Sequence, residues 1–350
     1  MHRVVPTNTP QHYGQVDYVI ESSIDSASLG WSHCSFLTHD QVKQIYTLEQ
    51  VNPIEQSDLI QQIQHIYSGP YHTTLLMTDG SVFQRGLTRH LAIREKKDEM
   101  TQDFVKCDLL DGITVSDIYT AANFTLFLTN EKKLFLFGEI GLIEQVTMKK
   151  EGLDVNDESQ QLIELTGLIP DNDTVEQVAV GGKHAFILTE KQRLFCFGQN
   201  NWMQLGLEDN AEYWCGWTEN TFFSNCPRIR KIVLGFEFSS FMLDDGSVYV
   251  CGRDFKKSTE EENSVVIHSK HQGFFLFEPT LVSIDSGVNK FNDIFATSAS
   301  LLLVGQDKIF EIGNYKEESI PTICKQIECP KDSIVFASQF SCDWFIVESK

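Results

Sequence analysis

The sequence predicts an all-β fold, a seven-bladed β-propeller, from three observations. A short hairpin pattern recurs seven times along the 350 residues. Successive copies begin 39, 52, 60, 54, 61 and 41 residues apart, the period of a four-stranded blade with loop insertions. An unmatched strand near the start of the chain answers a strand missing at its end.

The clearest copy is Val178 to Leu207, VAVGGKHAFILTEKQRLFCFGQNNWMQLGL. With His184 as its origin, the equivalent origins are His33, His72, Phe124, Phe238, Ala299 and Phe340. Three residues earlier stand Gly30, Gly69, Ala121, Gly181, Gly235, Ala296 and Ala337, all small. Four residues later stand Leu37, Leu76, Leu128, Leu188, Met242, Leu303 and Trp344, all large and apolar. Phe83, Phe135, Phe195, Tyr249 and Phe310 follow at eleven residues, and Gly86, Gly138, Gly198, Gly252 and Gly313 at fourteen. Gln44 and Thr47 break these last two rows in the first copy.

Each element of the unit has a physical reason. The small residue lets neighbouring backbone approach closely. A strand such as Ala185–Thr189 follows, then a polar turn. Asp79-Gly80 and Asp245-Gly246 are strong hairpin signals, because glycine tolerates positive φ. An aromatic-rich strand closes on glycine. Further strands are expected to begin at Pro227, Pro279 and Pro321, where a missing N–H costs little. A helical repeat would show 3.6-residue periodicity, which these units lack. The last unit starts at Phe340 and the chain reaches only Lys350, so its aromatic strand is missing. Val16–Ile20 is expected to supply it, closing the ring without an open sheet edge. Residues 1–350 therefore read as one propeller, with large loop insertions at 199–231 and 253–293.

The net charge of −21, with no basic stripe, excludes the usual nucleic-acid interface. Nine cysteines without a C-x-x-C pair speak against a zinc site and for reduced thiols. Met1 to Gln15 lacks an apolar signal core, and no apolar run approaches membrane-spanning length. The expected setting is the cytoplasm, the nucleus or both, as a monomer without cofactor or membrane contact.

The unit G-x-x-H-x-x-x-L-T…G-x-N…Q-L-G-L, from Gly181 to Leu207, resembles the repeat of the regulator of chromosome condensation family. The other six units keep the hairpin core and lose the Gln-Leu-Gly tail. The resemblance implies a seven-bladed propeller that acts through protein binding. The family's founding member is a guanine-nucleotide exchange factor for the small GTPase Ran; it uses a wedge from the third blade rather than catalytic side chains. Other members are scaffolds, ubiquitin-ligase parts or GTPase regulators, and fold alone does not choose among them. The segment Glu139, Ile140, Gly141, Leu142 is similar to the wedge-bearing segment, though its loop is several residues shorter. It also reads as a worn copy of Gln204-Leu205-Gly206-Leu207.

No catalytic constellation emerges. Asp154–Glu158, Asp171–Asp173, Glu208–Glu212 and Glu260–Asn263 lack the spaced calcium loop and read as solvated loops. His33, His72 and His184 recur at the repeat origin, which points to architecture. The aromatic segment 202–223 is the candidate partner-binding surface, through Trp202, Tyr213, Trp214, Trp217 and Phe222. The competing reading buries these rings against the fourth and fifth blades. The expected function is a protein-binding propeller, a scaffold or small-GTPase-associated regulator; the alternative is a guanine-nucleotide exchange factor for a Ran-type GTPase.

Overall fold

The computed structural model describes residues 2–6, 18–20, 24–29, 34–38, 45–47, 57–94, 99–138, 162–207, 214–253, 265–267, 275–284, 289–305, 308–313, 325–328, 334–337 and 344–347. Among these residues the regular structure is antiparallel β, apart from one helical turn at Ser57–Ile60 and short 3-10 turns. The chain separates into two compact units that divide between Asp173 and Thr174.

The first unit opens with β1 (His2–Pro6) and β2 (Tyr18–Ile20). A sheet of β3 (Ile24–Leu29), β4 (Cys34–Thr38) and β5 (Ile45–Thr47) follows. The next contains β6 (Ile63–Ser68), β7 (His72–Met77), β8 (Val82–Gly86) and β9 (Val105–Lys106). The last contains β10 (Val115–Thr120), β11 (Phe124–Thr129), β12 (Leu134–Gly138) and β13 (Leu162–Glu164).

The second unit begins with β14 (Val175–Val180), β15 (His184–Thr189), β16 (Leu194–Gln199) and β17 (Trp214–Asn220). Its next sheet has five strands: β18 (Ile229–Leu234), β19 (Phe238–Leu243), β20 (Val248–Arg253), β21 (Val265–Ile267) and β22 (Phe275–Ile284). Another holds β23 (Asp293–Ala296), β24 (Ser300–Val304), β25 (Lys308–Gly313) and β26 (Lys325–Glu328). The hairpin of β27 (Ile334–Ala337) and β28 (Trp344–Val347) completes it.

Four expectations need correction. The region 199–231 is not all loop, since β17 pairs with β16 as a fourth strand. Likewise 253–293 contains β22, which pairs with β20, and β21, which adds a fifth strand. Pro279 lies inside β22 rather than at its start, where the pairing with β20 shifts register; a bulge tolerates the missing N–H. Finally, the N-terminal strand expected to supply the last unit's missing strand is one half of a hairpin, Tyr18–Ile20 pairing antiparallel with His2–Val4.

The core lies between successive sheets. In the first unit, Leu37 of β4 packs with Ile63, Ile66 and Leu75 of the next sheet. Leu76 and Val82 pack in turn with Val115, Ile118, Phe127 and Phe137. In the second, Phe186 and Leu188 pack with Ile232, Leu234 and Phe241, and Val250 packs with Ile294 and Leu301. Covered on both faces, the second strands β7, β11, β15 and β19 are buried at every residue. Each first strand exposes part of one face. Sheets are also latched at their first strands. The Tyr67 and Tyr119 hydroxyls donate to the two oxygens of Asp117, at 2.6 and 2.8 Å. Burial first, and then the Asp117 charge, pushes both phenols far above their ordinary titration range.

The small residue before each origin answers the ring at the origin. A Cβ on Gly69 would lie 2.5 Å from His72 Cε1. One on Gly181 would fall 2.8 Å from His184 Nδ1, and one on Gly235 would collide with the Phe238 ring. In each case the N–H of the small residue donates to the carbonyl of the origin residue, at 2.8 to 3.0 Å. Thr297 donates the same bond to Ser300, at 2.8 Å. The sixth origin is therefore Ser300 rather than Ala299, and its small side chain leaves room for threonine. Ser300 pairs with Gly313 as His184 pairs with Gly198. The register expected from the sequence is one residue off here because the turn between β24 and β25 is one residue shorter than that between β15 and β16. In the last unit the pairing of Ala337 with Trp344 shifts the register similarly, so the strand starts at Trp344.

Candidate interaction surface

The repeat tail after β16 is the part of the unit that reaches into the following sheet. It is folded by its own side chains. Asn200 Oδ1 accepts from Leu205 N at 3.0 Å, and Gln204 Oε1 accepts from Trp202 N at 2.9 Å. Asn220 of β17 donates to the carbonyls of Leu205 and Gly206. The tail then presents the Gln204 carbonyl to β19 and β20, where Ser239 Oγ donates at 2.6 Å and Cys251 Sγ at 3.4 Å. Gly206 has φ +60° and faces Cys251 and Pro279. The letters Asn, Gln, Leu and Gly thus specify a folded loop that locks one sheet to the next.

His184 belongs to the same lock. Its Nε2 lies 2.9 Å from Ser239 Oγ. Ser239 spends its single hydroxyl hydrogen on the Gln204 carbonyl, so the imidazole must donate through Nε2–H. Burial pushes this imidazole down from 6.5 to about 3, keeping it neutral. The ring is architectural, as its recurrence suggested.

The sequence-selected aromatics separate in space. Trp217 is half-buried and stacks on Phe195 and Phe197, with centroids at 5.4 and 6.0 Å. Trp202, also half-buried, lies under the Arg253 guanidinium at 4.7 Å, and Arg253 pairs with Glu237 at 2.6 Å. Trp214 begins β17, its backbone opposite Gln199. Phe222 is 36% exposed, while its neighbour Phe223 is buried against Phe241 and Tyr249. Tyr213 lies outside the described residues, as do Glu139, Ile140, Gly141 and Leu142. The acidic stretches 154–158, 208–212 and 260–263 are outside them too. Asp171–Asp173 are described, and Asp171 takes φ +61° in a 3-10 turn. Among the described residues no group of three or more His, Cys, Asp or Glu is placed to hold a metal ion. No helix among them is long and apolar enough to cross a membrane.

Sequence reasoning missed a basic rim beside Phe223. Lys191, Arg193 and Arg228 line a groove there with Glu219 and Asn220. Arg193 makes a two-pronged pair with Glu219, at 2.8 and 2.7 Å, and Arg228 pairs with Glu176. The partners are 26 and 52 residues apart, so spacing carried no signal.

A family model described as the regulator of chromosome condensation (RCC1) repeat matches residues 175–201, which span β14 to the start of the tail. The chain is also similar to three solved structures. Prp20p from Saccharomyces cerevisiae, reported with its binding properties to Gsp1p and histones, superposes with TM-score 0.70 at 16% identity, over 98% of this chain and 87% of that one. Yeast RCC1 (Prp20), in a structure with Kap60 bound to it, gives 0.69 at 17%, over 93% and 79%. Human WBSCR16 gives 0.68 at 15%, over 99% and 95%. At these identities the likeness establishes the fold, a multi-bladed β-propeller. The match to the repeat model is confined to residues 175–201.

Proposed function

We propose that this chain is a protein-binding propeller that works with a small GTPase of the Ran type. The observation that carries the reading is the match of nearly the whole chain to Prp20p, whose structure is reported with binding to Gsp1p. Side-chain catalysis is not part of the proposal, because a propeller acts on a partner through the surface it presents. Guanine-nucleotide exchange is the activity to test first. Two of the three fold neighbours are the RCC1-type protein Prp20, which favours exchange over a passive scaffold. The segment Glu139–Leu142 is the wedge in this reading. Trp202, Tyr213, Trp214, Trp217 and Phe222 are the anchors of a second protein contact.

The fuller architecture belongs to the same proposal. Seven blades form one closed ring spanning 1–350, with the N-terminal hairpin of β1 and β2 completing the last blade. Support comes from strand numbers. Six sheets hold three to five strands each, while β1–β2 and β27–β28 contribute two apiece. The proposed setting is the nucleus and cytoplasm, with the protein monomeric.

Release of a fluorescent guanine nucleotide from Ran tests exchange directly. Acceleration at micromolar propeller, lost when Ile140 and Leu142 are changed to Ala, is the expected result. No acceleration ends the exchange reading. Calorimetric titration with nucleotide-free and nucleotide-bound Ran then decides whether binding survives without it. Absence of binding in both forms overturns the GTPase reading altogether.

A further inference from the structure

We infer that the basic groove beside Phe223 is a docking site for a short acidic segment of a protein partner. None of the aromatic anchors proposed above lines it, and it does not depend on the GTPase reading. The groove encloses about 320 Å³, within the range of about 300–1,000 Å³ of ligand sites. All twelve residues that line it are among the described residues.

Its walls are fixed before any ligand arrives. One wall is the turn joining β15 to β16. Gln192 Oε1 accepts from Ile229 N at 2.9 Å, and Gln192 Nε2 donates to Glu176 at 2.8 Å. These bonds fasten the turn to the first strands, β14 and β18. The other wall is the 3-10 turn Phe222–Asn225. Asn220 Oδ1 accepts from Phe222 N at 3.0 Å, and Phe223 is buried against Phe241 and Tyr249. A groove already in shape loses little affinity to the ordering of its own side chains.

Charge names the occupant. The lining carries three cations, Lys191, Arg193 and Arg228, and one carboxylate, Glu219. The whole chain runs the other way, with 28 Lys and Arg against 49 Asp and Glu. Counting Glu176, which pairs with Arg228, still leaves cations in excess. Both ion pairs are partly exposed, and the Arg228 side chain is 50% exposed. Exposed pairs stabilise little, so an incoming carboxylate can share the guanidinium donors at small cost. The floor is apolar, with Leu194, Phe223 and Ile229 buried. A segment with carboxylates on both sides of one apolar residue fits this lining. A nucleic acid does not, because the net charge of −21 repels a long polyanion beyond the groove.

The probe is the fluorescein-labelled peptide GEELEEG, titrated onto the full chain by fluorescence anisotropy beside its uncharged counterpart GQQLQQG. Saturable binding of the acidic peptide is expected at roughly micromolar to millimolar concentration, weakening as salt is raised. The uncharged peptide should not saturate. Lys191→Glu combined with Arg228→Glu should weaken binding by at least about tenfold, and should move the melting temperature by less than about two degrees, since both side chains are exposed. Cys226, a free thiol in the lining, gives a readout on the unaltered chain. Saturating acidic peptide should slow its alkylation by iodoacetamide, followed by mass spectrometry. Equal binding of the two peptides, an affinity unmoved by the double variant, an unprotected Cys226, or no saturation to roughly 1 mM overturns the site. A failure to bind Ran leaves all four readouts unchanged.

Discussion

The pairing of a small residue with the ring at each origin makes a prediction that can be worked out in numbers. Gly181→Ala adds one methyl group. Its φ is not in the left-handed region, so the backbone accepts alanine, and the penalty comes from contacts alone. The new carbon would lie 2.8 Å from His184 Nδ1 and 2.6 Å from the Gly235 carbonyl, where ordinary contact begins at 3.4 Å. His184 cannot move aside freely, because Nε2 is held 2.9 Å from Ser239 in a fully buried site. Overpacking of this kind costs about 1–3 kcal/mol, and losing the imidazole bond adds about 1 more. Gly181→Ala should therefore destabilise by roughly 2–4 kcal/mol. His184→Ser removes the ring and should cost a similar amount as a cavity, about 2–4 kcal/mol. Together the two substitutions place alanine over serine, a smaller version of the pair Thr297 and Ser300, so the double variant should be more stable than the sum predicts by at least about 1 kcal/mol. The Gly235 carbonyl keeps the rescue partial. Urea unfolding followed by tryptophan fluorescence and far-ultraviolet dichroism measures all four proteins. Additivity within about 0.5 kcal/mol would refute the reasoning.

Other expectations follow from the same geometry. Because His184 is neutral in the fold down to about pH 3 and the unfolded chain takes up a proton below about 6.5, acid favours unfolding between those values. Stability should fall by up to ~1.4 kcal/mol per pH unit across that window from this group. His184→Phe, which copies Phe238 over Gly235, should flatten the slope in unfolding midpoints measured from pH 7 to 4; an unchanged slope would exclude His184 as its source. Gly198→Ala should be more damaging than a simple overpacking, since φ is +106° and the new carbon would meet the Lys183 carbonyl; a midpoint shift under about 1 kcal/mol would count against this. Trp217→Ala should lower the melting temperature by several degrees through its lost stacking on Phe195 and Phe197, whereas Phe222→Ala should leave it within about a degree and instead weaken partner capture. The reverse ranking would move the interface from Phe222 to Trp217.

The hairpin cores were legible because their signals are local. A polar turn such as Asp79-Gly80, an apolar residue at +4 and a glycine at +14 are each set within one strand pair, and β7–β8, β11–β12, β15–β16 and β19–β20 fall where those signals place them. Strands held by distant partners were not legible. β9 is two residues long and β13 three, and each is defined by pairing rather than by composition. The sixth register slipped for a related reason. A turn shortened by one residue is invisible until the opposing strand shows which residue faces Gly313. Among the site residues, composition singled out the aromatic segment as unusual, but it could not separate Trp217, stacked on Phe195, from Phe222, which meets solvent.

By itself, the order of residues determined the repeating unit, its β character and the small residue three places before most origins, because each is written in letters close together along the chain. Only the tertiary structure decided what the repeat tail is for. The Gln204 carbonyl meets Ser239 across 35 residues, whereas Ala92, at the same place in its own unit, is held by Gln84 and Leu109. A backbone carbonyl has no letter in the sequence, so the partner it meets emerges only when the sheets are packed.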